Sequence, residues 1–158
     1  YGTYGYLNQI RTNNTNINLF LFSTNDSSVI IEESDEKSIL KHPTVYTTVN
    51  SINDLDQTHF YSAIFIPSSD DHVHQLEKRI ANLELNFDKF AGFKSYRFLK
   101  PVQGTTYKVY FGFANRQTYE DFKETFKDYF SKDALRHYFG SSSKHSSYFE
   151  RYLYPIKE

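Results

Sequence analysis

A chain of 158 residues is long enough to bury a real core and short enough to be one domain, or one domain with an extension. Its formal net charge of −1 offers no basic field to a nucleic acid or an anionic membrane, so non-specific DNA binding is disfavoured. Cysteine is absent, which excludes disulfides, thiolate metal sites and a cysteine nucleophile, and suits a reducing, cytoplasmic setting.

With no methionine the chain lacks an initiator, so a few residues are expected ahead of Tyr1. No signal peptide is visible, and the most apolar run, around A63-I-F-I66, is far below the roughly 20 residues that span a bilayer. Tyr4 to Arg11, Ile17 to Phe22 and Val29 to Glu32 read as short strands. The segments T12-N-N-T-N16 and T24-N-D-S27 separate them with residues that favour turns. Pro43 precedes a β-branched run, T44-V-Y-T-T-V49, and the polar N53-D-L-D-Q57 marks a boundary. Residues 1–57 are therefore expected to form a β-rich N-terminal extension, and 58–158 a second unit.

From Thr58 the pattern sharpens. Phe60 to Ile66 reads as a strand apolar on both faces and ended by Pro67. Ser69 is a candidate N-cap, with Asp70 and Asp71 in the first turn. Val73, Leu76, Ile80, Leu83 and Phe87 then recur at helical spacing. Phe93 to Leu99 and Thr106 to Phe113 are the next strands, and Thr118 with Asp121 resembles a capping box opening a helix striped by Tyr119, Phe122, Phe126 and Tyr129. Ser131 caps a short further turn, and Ser147 to Leu153 alternates as a last strand. The order β-α-β-β-α-β defines an α+β, ferredoxin-like fold. Its two helices cover one face of the sheet. The other face, carrying Tyr61, Ala63, Phe65 and Tyr110, is too apolar for water. The N-terminal meander, a ligand, or the same face of a second subunit must cover it.

Six histidines are the conspicuous titratable groups. In S68-S-D-D-H-V-H74, His72 and His74 on a helix diverge by about 160°, so a metal clip is disfavoured and no metal site is assigned. An exposed imidazole titrating near neutrality is still a nucleophile that accepts a phosphoryl group. His42, His59, His137 and His145 read as surface residues. Spacing alone locates no Ser-His-Asp or paired-carboxylate constellation, so no catalytic residue is assigned. F111-G-F113 matches part of an RNA-recognition signature, but Val109 and Tyr110 replace its leading basic residue and glycine, and no nucleic-acid partner is expected. Phosphate-cradling glycine loops are absent, so a separate kinase would supply any phosphate.

G104-T-T-Y-K-V-Y-F-G-F-A114, Y119-E-D-F-K123, H137-Y-F-G140 and above all H145-S-S-Y-F-E-R-Y-L-Y-P-I-K-E158 resemble the staphylococcal TRAP family of signal transduction proteins, the targets of RNAIII-activating protein. Y1-G-T-Y-G5 and F65-I-P-S68 fit it too, so the resemblance spans essentially the whole chain. It implies that 58–158 is an antibiotic-biosynthesis-monooxygenase-like (ABM-like) domain, which commonly pairs sheet to sheet into a dimeric α/β barrel. It also implies a homodimeric, peripherally membrane-associated phosphoprotein linked to virulence control and stress response. An unidentified histidine kinase would act on His59, His72 and His145, which sit in matching contexts. The alternative is an enzyme of the same fold, a haem-degrading monooxygenase. Such enzymes use an asparagine, a tryptophan and a haem-ligating histidine where this chain has Ile64, Phe113 and Phe130. His137 is then the remaining candidate haem ligand. These departures weigh against an enzymatic reading and against a haem cofactor.

Overall fold

The computed structural model describes residues 1–83, 86–139 and 148–156. Its centre is set by two strands, β4 (Phe60–Ile66) and β6 (Tyr107–Phe113), buried along nearly their whole length. Such strands are stable only with neighbours on both edges and cover on both faces. They pair antiparallel with each other, with β7 (Phe149–Pro155) beside β4 and β5 (Phe93–Pro101) beside β6. α2 (Val73–Ala81) joins β4 to β5 and α3 (Arg116–Phe126) joins β6 to β7, giving the expected βαββαβ unit. The preceding strands lengthen the same sheet at both edges. β3 (Tyr46–Ile52) adds outside β5, while β1 (Asn18–Ser23) adds outside β7 with β2 (Ser28–Glu33) beyond it, in the order β2-β1-β7-β4-β6-β5-β3.

One expected strand is a helix. Tyr4 to Arg11 lies within α1 (Tyr4–Asn13), capped by Thr3, whose hydroxyl accepts from the Tyr6 N–H at 3.4 Å. Alternation of Tyr4 and Tyr6 with polar residues mimicked a strand, yet Leu7 and Ile10, three apart, are the side chains turned inward, and Tyr4 and Tyr6 are exposed. The Asn14 amide closes the helix by donating to the Ile10 carbonyl at 2.8 Å. Two further expectations shift. α2 stops at Ala81, so Phe87 reaches the core from a separate 3₁₀ turn, Phe87–Lys89. The capping box of α3 is formed by Asn115 and Thr118, not Thr118 and Asp121.

Helices and sheet enclose an aromatic core. Phe111 meets Phe122 and Phe130 at centroid distances of 5.2 and 5.3 Å, and Phe113 meets Tyr119 at 5.6 Å. Tilted and edge-on pairs of this kind add about 0.5–1.5 kcal/mol each beyond their burial. A second cluster on the opposite face joins Tyr61, Ala63, Tyr110 and Leu153 of the sheet to Phe22, Val29 and Leu55. The N-terminal hairpin therefore folds over the face that the helices leave bare. β1 also pairs with β7, Phe22 with Pro155 and Ser23 with Tyr154. The Gln57 side chain then serves in place of a strand: its Oε1 accepts the Leu21 N–H at 2.7 Å and its amide donates to the Leu21 carbonyl. At the far end of β2, Glu33 accepts a 3.0 Å charged hydrogen bond from Arg97 of β5, fastening the hairpin across the sheet.

Gly112 shows how closely this face is packed. A Cβ there would lie 2.4 Å from the Ser95 hydroxyl and 2.6 Å from the Tyr61 ring. Gly112→Ala is expected to lower the unfolding free energy by about 1–3 kcal/mol, as overpacked cores do, measured by urea denaturation. A change below a few tenths would show that the Tyr61 ring yields freely.

Candidate functional site

The sequence-selected histidines flank the two ends of β4. Before the strand, the Asp56 carboxylate accepts from the Thr58 N–H at 2.8 Å and the Thr58 hydroxyl at 2.6 Å, and the Asp56 carbonyl accepts the His59 N–H at 3.3 Å. This turn half-buries His59 and leaves its Nδ1 buried without a hydrogen-bond partner. Burial lowers the His59 pKa, and the charge of Asp56 offsets part of the shift.

After the strand, the Ser69 N–H donates to the Tyr138 carbonyl at 3.0 Å, fixing the start of the 3₁₀ turn Asp70–His72. Ser69 occupies the expected cap position, but its hydroxyl does not cap the backbone. It lies 2.5 Å from His72 Nδ1. The half-buried His72 ring stands edge-on to Tyr138 at 6.5 Å, and Arg79 covers the same tyrosine ring at 5.7 Å. His72 is thus held at one nitrogen, while Nε2 has no hydrogen-bond partner among the described residues. Two residues on, His74 is exposed in the first turn of α2. A strand advances about 3.3 Å per residue, so the length of β4 keeps His59 and His72 apart within one chain. His145 lies outside the described residues. No group of three histidine, aspartate or glutamate residues able to hold a metal occurs among the described residues.

The alternative haem site is tested by what occupies its place. Ile64, Phe113 and Phe130 are 2 %, 0 % and 4 % exposed, all within the helix-side aromatic core. The volume between α3 and the sheet is filled by rings, and no imidazole faces it from those positions. His137 is exposed, with its ring at 3.8 Å from that of Tyr138. These residues do not fit a haem between sheet and helix. Phe111 and Phe113 also face this core, so the F111-G-F113 rings are not offered to nucleic-acid bases.

Sequence reading passed over Glu150. Strand alternation in F149-E-R-Y152 places it on the helix side, where its side chain is 15 % exposed and accepts from the Ser62 hydroxyl at 2.8 Å, from the Tyr119 hydroxyl and from Lys123 at 2.5 Å. The Tyr119 hydroxyl pKa is pushed far up, by burial first and by the Glu150 charge second. With every partner donating to the carboxylate, the group fastens β7 to α3 and leaves no free base.

Comparison with known proteins places this geometry. No family model matches the chain. The signal transduction protein TRAP of Staphylococcus aureus strain bovine RF122 / ET3-1 is 64% identical over 160 aligned positions, covering 100% of this chain and 96% of that protein. TRAP of strain USA300 is 60% identical over the same span. A solved structure described as a major regulator of staphylococcal pathogenesis superposes with a TM-score of 0.92 at 57% identity, over 99% of this chain and 96% of that one. A ferredoxin-fold protein of Listeria monocytogenes related to antibiotic biosynthesis monooxygenases gives 0.79 at 19% identity, over 99% and 91%. A haem-degrading enzyme of Listeria monocytogenes gives 0.75 at 20%, over 98% and 95%. These last two establish a shared ABM-like fold. No helix among the described residues is long and apolar enough to cross a membrane.

Two outcomes are expected. One equivalent of haemin should produce no ligated Soret band, and His137→Ala should change nothing; stoichiometric binding lost in that variant would overturn the steric argument. Burial depresses the folded pKa of His59 below its ordinary value of 6.5, so the unfolded chain takes up a proton more readily there. The contribution of this residue to stability is therefore complete above about pH 6.5 and declines as pH falls below it. His59→Gln should flatten that part of the stability–pH curve measured by thermal melting, and an unchanged slope would remove His59 as its cause.

Proposed function

The chain belongs to the family of the staphylococcal signal transduction protein TRAP, and from that premise we propose that it is a regulator of virulence and stress responses that receives phosphoryl groups on histidine. The observation that carries the reading is His72. Its Nδ1 is tied to Ser69 while Nε2 has no hydrogen-bond partner among the described residues. When Nδ1 donates to the serine oxygen, the neutral tautomer has its lone pair on Nε2, the nucleophilic arrangement. Attack on a phosphoryl donor forms the Nε2–P bond and breaks the donor's bond to phosphorus, and the Nδ1 proton stays shared with Ser69. The new charge falls beside the exposed Asp70 and Asp71, which oppose it. Phosphorylation would therefore strain the short turn into α2, a local change that a partner can read.

His59 is the second acceptor. Burial favours its unprotonated, nucleophilic form. His145 is carried over from the family pattern alone. A separate kinase supplies the phosphate, and the chain works as a homodimer in the cytoplasm at the membrane surface, held peripherally. The filled helix-side core supports a regulator over a haem-degrading enzyme.

Phosphoramidate, a small-molecule donor, tests acceptor competence without the kinase. After brief incubation, acid-labile ³¹P signal and peptide mass spectrometry should place phosphate on His72 several-fold more than on His74, the exposed histidine beside it. Ser69→Ala should reduce the His72 signal at unchanged melting temperature. Equal labelling of both histidines would refute a tuned acceptor.

A further inference from the structure

The face of the sheet away from the helices holds a cation without a counter-ion among the described residues. Lys108, in the middle of β6, is 9 % exposed. Its Nζ lies 4.8 Å from the Phe65 ring centroid, 5.0 Å from that of Tyr110 and 5.2 Å from that of Tyr46. Among the described residues it makes no ion pair or hydrogen bond. Nearby carboxylates are committed elsewhere: Glu33 to Arg97 at 3.0 Å, and Glu32 to the Ser38 hydroxyl at 2.7 Å. Arg151, stacked over Tyr1 at 4.6 Å, adds to the positive charge rather than balancing it. Ring contacts stabilise an ammonium, but taking it out of water costs more than they return. Burial accordingly lowers the Lys108 pKa.

This ammonium is part of the wall of a half-open cavity of about 1020 Å³, between the sheet and the β1/β2 hairpin with residues 34–45. The rest of the wall is mixed, and Glu32, Glu33, Asp35, Glu36, Lys37 and Lys41 contribute charged groups from the segments above the sheet. Phe65, Leu99 and Tyr110 line it from the sheet, and Val29, Ile31 and Leu55 from the segments above. An apolar stretch such as Phe65, Leu99 and Leu55 beside a fixed charge is a usual ingredient of a small-molecule site, and this space is at the upper end of their size range. We propose that the cavity binds an apolar molecule with a single anionic head group, of the medium-chain carboxylate class. The head pairs with Lys108, and the chain lies along Phe65, Leu99 and Leu55. The site is independent of the phosphoacceptor histidines and lies on the opposite face of the sheet from the haem position of the fold.

Calorimetric titration of the intact protein with decanoate and with decanol, both below their aggregation limits, tests this directly. Decanoate should bind with one-to-one stoichiometry and about tenfold or more tighter than decanol, since only the carboxylate gains the charged contact. Lys108→Met, which replaces a buried cation with an apolar chain of similar length, should fold normally, weaken decanoate by about tenfold or more and leave decanol unchanged. Leu99→Trp, filling the cavity, should weaken both. The proposal fails if neither ligand binds, if the two bind alike, if Lys108→Met leaves decanoate binding intact, or if Leu99→Trp affects neither.

Discussion

Everything in this molecule follows from two central strands that are apolar on both faces. A sheet with one solvated face needs one covering layer, whereas β4 and β6 need two. α2 and α3 supply the first. The second comes from earlier in the chain, as the hairpin whose Phe22 and Val29 pack on Tyr61 and Tyr110. The backbone groups of Leu21 are met by Gln57, and Arg97 with Glu33 secures the other end. A single amide side chain and one charged hydrogen bond thus decide where the hairpin lies.

The same constraint distributes function. The helix side is filled with rings to the point that Ile64, Phe113 and Phe130 are packing residues. His59 and His72 sit at the ends of β4, where the strand must turn and the backbone needs local hydrogen bonds. Ser69 and His72 meet in such a turn, and His59 closes another. On the hairpin side the cover leaves a cavity, with an ammonium in its wall that has no counter-ion among the described residues.

Much of this was legible in the sequence. The run Phe60 to Ile66, bounded by Pro67, coincides with β4 because an uninterrupted apolar segment that short has few other uses. The βαββαβ order followed from helical stripes alternating with such runs. α1 was missed because Tyr4 and Tyr6 alternate as a strand does, and only docking of Leu7 against its neighbours decides between the two periods. At Ser69 the cap position was right and the bond was not: the hydroxyl turns to an imidazole three residues on, a choice that sequence spacing leaves open. Lys108 was visible on the second face, but its isolation depends on Tyr46 and Phe65 from other strands and on Glu33 preferring Arg97.

The pairing of β1 with β7 joins the two ends of the described chain. A ribosome delivers the hairpin first and its docking edge last. Until β7 is made, the hairpin lacks the strand edge it pairs with and Leu153 is missing from the cluster around Tyr61 and Tyr110. Contacts so distant in sequence form slowly, and exposed strands of this composition invite association with other chains.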